Sequence, residues 1–139
     1  MSNLSAFFAQ NANSEINEEV VISARFKDEK GNPIPWKLRS MTEEENEAIR
    51  KSAQRKVRDR GVVTIDTNSE EYLAKMVVAS VVFPNLKDAD LQKSYGVMGS
   101  DKLLRKMMLP GEYATLLQKV QEINGFDKDV NELVDEVKN

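Results

Sequence analysis

Period-two alternation opens the patterned part of the chain: Val20, Ile22, Ala24 and Phe26 fall on one side, and Val21, Ser23, Arg25 and Lys27 on the other. That spacing predicts a strand, because successive side chains of a strand point to opposite faces. Residues 28–32 (DEKGN) supply turn chemistry, after which Ile34, Trp36, Leu38 and Ser40 alternate against Pro35, Lys37 and Arg39. The two runs read as a β-hairpin. Pro33 and Pro35 place its second strand at an edge, or mark its start, since proline donates no ladder hydrogen bond.

The period then changes. Thr42 followed by Glu43, Glu44 and Glu45 predicts a helix N-terminus with a capping box, and Ala48 and Ile49 are its expected inward positions. The predicted helix turns basic over residues 50–60, acids first and bases last as the helix dipole favours, and Gly61 is its expected stop. Val62, Val63 and Ile65 suit a short third strand. Tyr72, Leu73, Met76, Val77, Ser80 and Val81 predict a central core helix halted by Phe83-Pro84, because the residue before proline is pushed out of the helical region. A looser helical stretch over 88–95 and a short helix capped by Ser100, with Leu103, Leu104, Met107 and Met108 inward, follow.

The last third holds two stripes. Pro110 suits a first helical position, Tyr113, Leu116, Leu117 and Val120 line one face, and Asn124-Gly125 stops the helix. Residues 127–139 carry Val130, Leu133, Val134 and Val137 on one side and Asp129, Glu132, Asp135 and Glu136 on the other. A helix this short is marginal alone in water, so the stripe packs on the domain's own core, the commoner arrangement, or on a partner. At the other end, Leu4, Phe7 and Phe8 at helical spacing predict a short helix within residues 1–15, either covering an edge of the core or serving as a mobile interaction arm.

Composition narrows the chemistry. The 139 residues fit one domain, with 40% hydrophobic and 31% charged positions, a balance that buries a core and solvates its surface. The chain has neither cysteine nor histidine, which excludes disulfides and thiolate nucleophiles and takes away the side chain best suited to proton transfer near neutral pH. The six glycines form no phosphate-cradling loop, and Asp88, Asp90 and Asp101 lack the spacing of a calcium loop. No catalytic, cofactor-binding or metal-ligating residue is expected, and a binding role is favoured over catalysis. The short apolar patch at residues 4–9 follows no basic residue, so neither a secretory signal nor a transit peptide is expected, and the longest apolar stretch, Met76 to Phe83, is too short to span a bilayer.

One charged cluster stands apart: Arg50, Lys51, Arg55, Lys56, Arg58 and Arg60 against the single acid Asp59. It suits, in descending order, a solvated helix end, an acidic protein partner, or nucleic acid through phosphate contacts. Against the last stands a net charge of −3. Residues 112–139 have the opposite character, with seven acids against three lysines.

Taken together, residues 36–45 (WKLRSMTEEE) and 108–113 (MLPGEY) resemble the XkdN-like tail assembly chaperones of phages and phage-like prophage elements. The plan of an early hairpin, a capped acidic-to-basic helix, a Val-rich helix ending at Phe-Pro and a Pro-Gly-Glu-Tyr helix covers nearly the whole chain. The resemblance implies a non-enzymatic chaperone of the host bacterial cytoplasm that binds the tape measure protein while the tail assembles. The expectation is therefore a single α+β domain over 1–139, with an N-terminal hairpin or small antiparallel sheet packed with about five helices and a mainly helical C-terminal half. Tyr113, Leu117, Val130, Leu133, Val134 and Val137 are the candidate partner-binding residues. Its rivals are a small nucleic-acid-binding regulator using residues 50–60 and a structural tail component.

Overall fold

A computed structural model describes residues 3–13 and 15–126. Strands β1 (Asn17–Val20), β2 (Trp36–Arg39) and β5 (Val81–Phe83) form an antiparallel sheet in the order β1-β2-β5. A separate two-stranded ribbon comprises β3 (Gln54–Asp59) and β4 (Val62–Thr67). The helices are α1 (Glu43–Ser52), α2 (Ser69–Ser80), α3 (Ala89–Ser94), α4 (Ser100–Met107) and α5 (Pro110–Ile123). This is the α+β arrangement expected, with strands early and helices filling the second half.

The core follows from β2. Trp36 and Leu38 point the same way and are 2% and 1% exposed, while Lys37 between them stays in solvent. Met76 and Val77 of α2, Leu103 and Leu104 of α4, and Leu116 and Val120 of α5 close over them in one cluster. Each such side chain contributes roughly 1.5–3 kcal/mol by leaving water, which outweighs the modest propensity of short helices to form alone.

Asn124 ties the layers together. Its side-chain oxygen accepts the Met41 N–H at 2.7 Å, and its amide donates to the Ser80 hydroxyl at 3.1 Å and the Val120 carbonyl at 2.9 Å. One residue thus joins the end of α5 to the entry of α1 and the end of α2, and Gly125 at φ 85° turns the chain away. The Thr42 capping box forms as expected, with Glu45 also held by Arg39 at 2.8 Å, which anchors α1 to the sheet.

Several elements depart from the sequence reading. The first strand ends at Val20: Ile22 and Ser23 are both buried, which breaks period two, and the Ser23 hydroxyl accepts the Arg25 N–H in a local turn. The predicted turn survives beyond the bend, where Ile34 N–H donates to Phe26 O and Lys27 bridges Pro33. In α1, Ile49 is half-buried but Ala48 faces solvent.

The largest departure is the basic segment. Helix α1 stops at Ser52, Ala53 is fully buried, and Gln54–Asp59 pairs with Val62–Thr67 across Arg60-Gly61, at φ 51° and 80°. Positive φ at both central residues is the two-residue hairpin geometry matching strand twist, so Gly61 is a turn residue and not a helix stop. The β-branched run Val62-Val63-Thr64-Ile65 supplies the partner strand that draws residues 54–59 out of the helix.

Two smaller corrections concern caps. Helix α2 ends at Ser80, and Val81-Val82-Phe83 continues as a strand beside β2. Gly99, at φ 113°, occupies the N-cap of α4, while the Ser100 hydroxyl donates to Leu86 O at 3.1 Å. At the N-terminus, Leu4–Phe7 forms a 3-10 turn whose Leu4 and Phe7 are exposed, so they do not cover the core.

Candidate partner-binding groove

Helices α2, α4 and α5 do not close completely over the core. Between them lies an open groove of about 530 Å³, walled by Leu73 and Ala74 of α2, Leu104 and Arg105 of α4, Met108 of the connection, and Pro110, Tyr113 and Leu117 of α5. The wall is apolar except at its rims, where Glu70 and Arg105 stand. A second, larger groove of about 920 Å³ shares Glu70, Ala74 and Arg105 and continues along α2 past Val78 and Ala79 to Val82 and Asn85. Charged side chains, among them Arg39, Arg55, Glu71, Lys75, Lys87 and Asp101, line much of this larger groove, so the smaller one is the more apolar of the two.

Local sequence sets this opening. Pro110 starts α5 directly after Leu109, so α4 and α5 are joined by only Met108 and Leu109. The junction is clamped by Glu112, whose carboxylate accepts the Leu109 N–H at 2.8 Å and pairs with the Arg25 guanidinium, with Nε–Oε2 at 3.1 Å. Arg25 also donates to Met107 O at 2.9 Å. The hydrogen bonds from Arg25 dominate in holding the Glu112 carboxyl down to about 2, helped by Ser23 and the Leu109 amide against opposing desolvation. The clamp fixes where α5 leaves α4 and hence the tilt of Tyr113 and Leu117.

Burial pushes the Tyr113 phenol upward, partly offset by the nearby Arg105 charge, so the hydroxyl stays a neutral donor at the groove mouth. A tyrosine of this kind offers an apolar ring and one polar handle, a combination suited to protein contacts.

The structure therefore brings together two of the six sequence-nominated residues. Tyr113 and Leu117 share one wall and are half-buried. Val130, Leu133, Val134 and Val137 lie outside the described residues. Leu73, Ala74, Leu104 and Met108 complete the wall and were not nominated, because their helical spacing marks a core face and gives no sign of which core residues also border an opening. The basic residues do not form one helical face: Arg50 and Lys51 end α1, whereas Arg55, Lys56 and Arg58 sit on β3 and Arg60 in its turn. Among the described residues no group of three or more carboxylates could hold a metal ion, and no helix is long and apolar enough to cross a membrane.

The described residues thus form a small α+β domain with an open, largely apolar groove between α2, α4 and α5. The chain belongs to the phage XkdN-like tail assembly chaperone family, whose model matches residues 4–138. It is 34% identical over 138 residues to the phage-like element PBSX protein XkdN of Bacillus subtilis (strain 168), spanning 96% of this chain and 93% of that protein. Uncharacterized protein YqbN of the same strain is 33% identical over 138 residues, spanning 96% and 92%. The crystal structure of YqbN superposes with a TM-score of 0.76 at 28% identity, covering 91% of this chain and 99% of that one.

Proposed function

We propose that this chain acts without catalysis in the bacterial host cytoplasm, binding the tape measure protein of the phage or prophage during tail assembly. The observation that carries the reading is the groove walled by Leu73, Leu104, Met108, Tyr113 and Leu117, which is accessible and apolar in a chain of the tail assembly chaperone family. Methionine and tyrosine suit such a surface, since one adapts its shape and the other offers area at low entropic cost. An amphipathic client helix would lay its apolar face against α5 and its acidic side chains against Arg105. Val130, Leu133, Val134 and Val137 belong to the proposed set of partner-contacting residues.

Co-expression tests this. The tape measure protein is expected in the soluble fraction with this chain and in the pellet without it. Leu117→Asp should return at least half of it to the pellet, because a desolvated carboxylate in an apolar contact costs several kcal/mol. Met98→Asp, at an exposed position outside the groove, is the control and should have no effect. Equal solubility with and without the chain would remove the client reading, and a Leu117→Asp chain that folds and still holds its client would move the site elsewhere.

A further inference from the structure

The β3–β4 ribbon is the part of the molecule that client binding in the groove does not use. An isolated two-stranded ribbon is marginal in water, and three or more strands are needed for independent stability. Here Val57, Val62, Val63 and Ile65 are exposed, with Ile65 at 67%, and every residue of both strands faces solvent except Thr67, which is half-buried. The charges divide unevenly. Strand β3 carries Arg55, Lys56, Arg58 and Asp59, whereas β4, with sequence VVTIDT, carries Asp66 alone and four β-branched residues in a row.

The direction of the free backbone groups on β4 follows from the register. Asn68 N–H donates to Ala53 O at 2.9 Å, continuing a ladder in which Arg55 faces Asp66, Val57 faces Thr64 and Asp59 faces Val62. Antiparallel pairs alternate between bonded and non-bonded, so these are the bonded ones, and a two-residue turn closed by Asp59 and Val62 agrees. Val63, Ile65 and Thr67 therefore point their N–H and C=O groups away from β3. An edge of this length, apolar and nearly uncharged, is a template for another strand.

We infer that two copies of this chain pair through their β4 edges, making one continuous four-stranded antiparallel sheet, β3-β4-β4-β3, about a two-fold axis. Centred on Ile65, this register bonds Ile65 to Ile65 of the second copy and Val63 to its Thr67, using only outward-facing groups. Charge complementarity selects the same arrangement. Antiparallel alignment brings the tip of each ribbon, with Arg60, to the base of the other, where Glu70 begins α2. Among the described residues neither Arg60 nor Glu70 has an ion-pair partner within one copy. Pairing through β3 centred on Lys56 would instead set Lys56 against its own copy. The inference stands apart from the client reading, since it needs no tail protein.

Size-exclusion chromatography with light scattering on the full chain tests it. The wild type is expected at twice the 15.7 kDa chain mass, dissociating on dilution because a seam of one strand per copy is small for an interface. Ile65→Pro removes one outward N–H and leaves the β3–β4 ladder its own bonds, so it should weaken association by about tenfold or more, while the dilute, dissociated chain keeps the circular dichroism of dissociated wild type. Arg60→Glu should weaken association, and Glu70→Arg in the same chain should restore it. A wild type of one chain mass at every concentration up to about millimolar overturns the inference. So does a dimer indifferent to Ile65→Pro, which places the contact elsewhere. Salt-sensitive binding of duplex DNA or heparin by a monomeric wild type, lost on Lys56→Glu with Arg58→Glu, would also overturn it by assigning the ribbon to a polyanion.

Discussion

Asn124→Ala strikes the point where three elements meet. The substitution strands two groups: the Met41 N–H, held at 2.7 Å, and the fully buried Ser80 hydroxyl, held at 3.1 Å. The Val120 carbonyl loses little, since it still accepts the Asn124 main-chain N–H at 3.2 Å. An unsatisfied buried polar group costs about 1–3 kcal/mol, but Asn124 is only half-buried and water can reach part of the gap, so the lower half of that range applies to each group. The sum is about 2–4 kcal/mol. With an unfolding entropy of about 2.1 cal/mol/K per residue, this lowers the melting temperature of a 139-residue chain by about 7–14 °C. Calorimetry on Asn124→Ala, Ser80→Ala and the double variant separates the terms, because Ser80→Ala removes the orphaned hydroxyl and the double should be milder than the two singles added, by about 1 kcal/mol. A loss under 1 kcal/mol for Asn124→Ala, or strict additivity in the cycle, would refute the reasoning.

Two further outcomes follow from the clamp and the ribbon. The Glu112 carboxyl lies at about 2 in the folded protein against an ordinary value of 4.5, so its contribution is full above the unfolded value and is lost as pH falls toward 2. Glu112→Gln should therefore flatten the acid limb of a stability-against-pH curve between pH 4.5 and 2 while leaving the limb above pH 7 parallel to wild type, and an unaltered acid limb would show that the Arg25 pair is not its source. Gly61→Ala places a Cβ at φ 80°, where nothing crowds it but the backbone resists, so amide exchange over residues 54–67 should quicken by about fivefold for a cost of about 1 kcal/mol, with α5 protection unchanged.

The sequence was legible where a local pattern and the global packing agree. Trp36 and Leu38 alternate, and β2 is the strand under the core; the Thr42 and Glu45 spacing predicts the capping box that forms; Pro110 and Asn124-Gly125 bracket α5 within a residue. It failed where two patterns compete for the same residues. Residues 50–60 have the charge order of a helix end, yet the buried Ala53 and the β-branched run after Gly61 pull residues 54–59 into a ribbon. Non-local pairing decided the outcome, and no window within the basic run contains its partner strand. The same cause hid β5, whose three residues read as the tail of α2 until β2 lies beside them. Of the candidate groove, Tyr113 and Leu117 were legible because they belong to the apolar stripe of α5. Leu73 and Met108 were not, since a stripe reports which residues face inward and not where the inward faces part.

That distinction between facing inward and being covered also orders the two surfaces. The groove is apolar because helices α2, α4 and α5 share a core whose edge they leave open, so its residues are held rigidly by Leu103, Leu116 and Val120 beneath them. The ribbon is exposed because it has no core at all and is held at its root by the Arg55–Glu71 bridge at 2.6 Å and the Lys75 contact to Ser52. A rigid groove suits a surface that must be present before a partner arrives, since pre-organisation spares the cost of ordering it. A marginal ribbon suits a contact that gains its strands' stability only on association, so its order should rise with protein concentration while that of the groove does not.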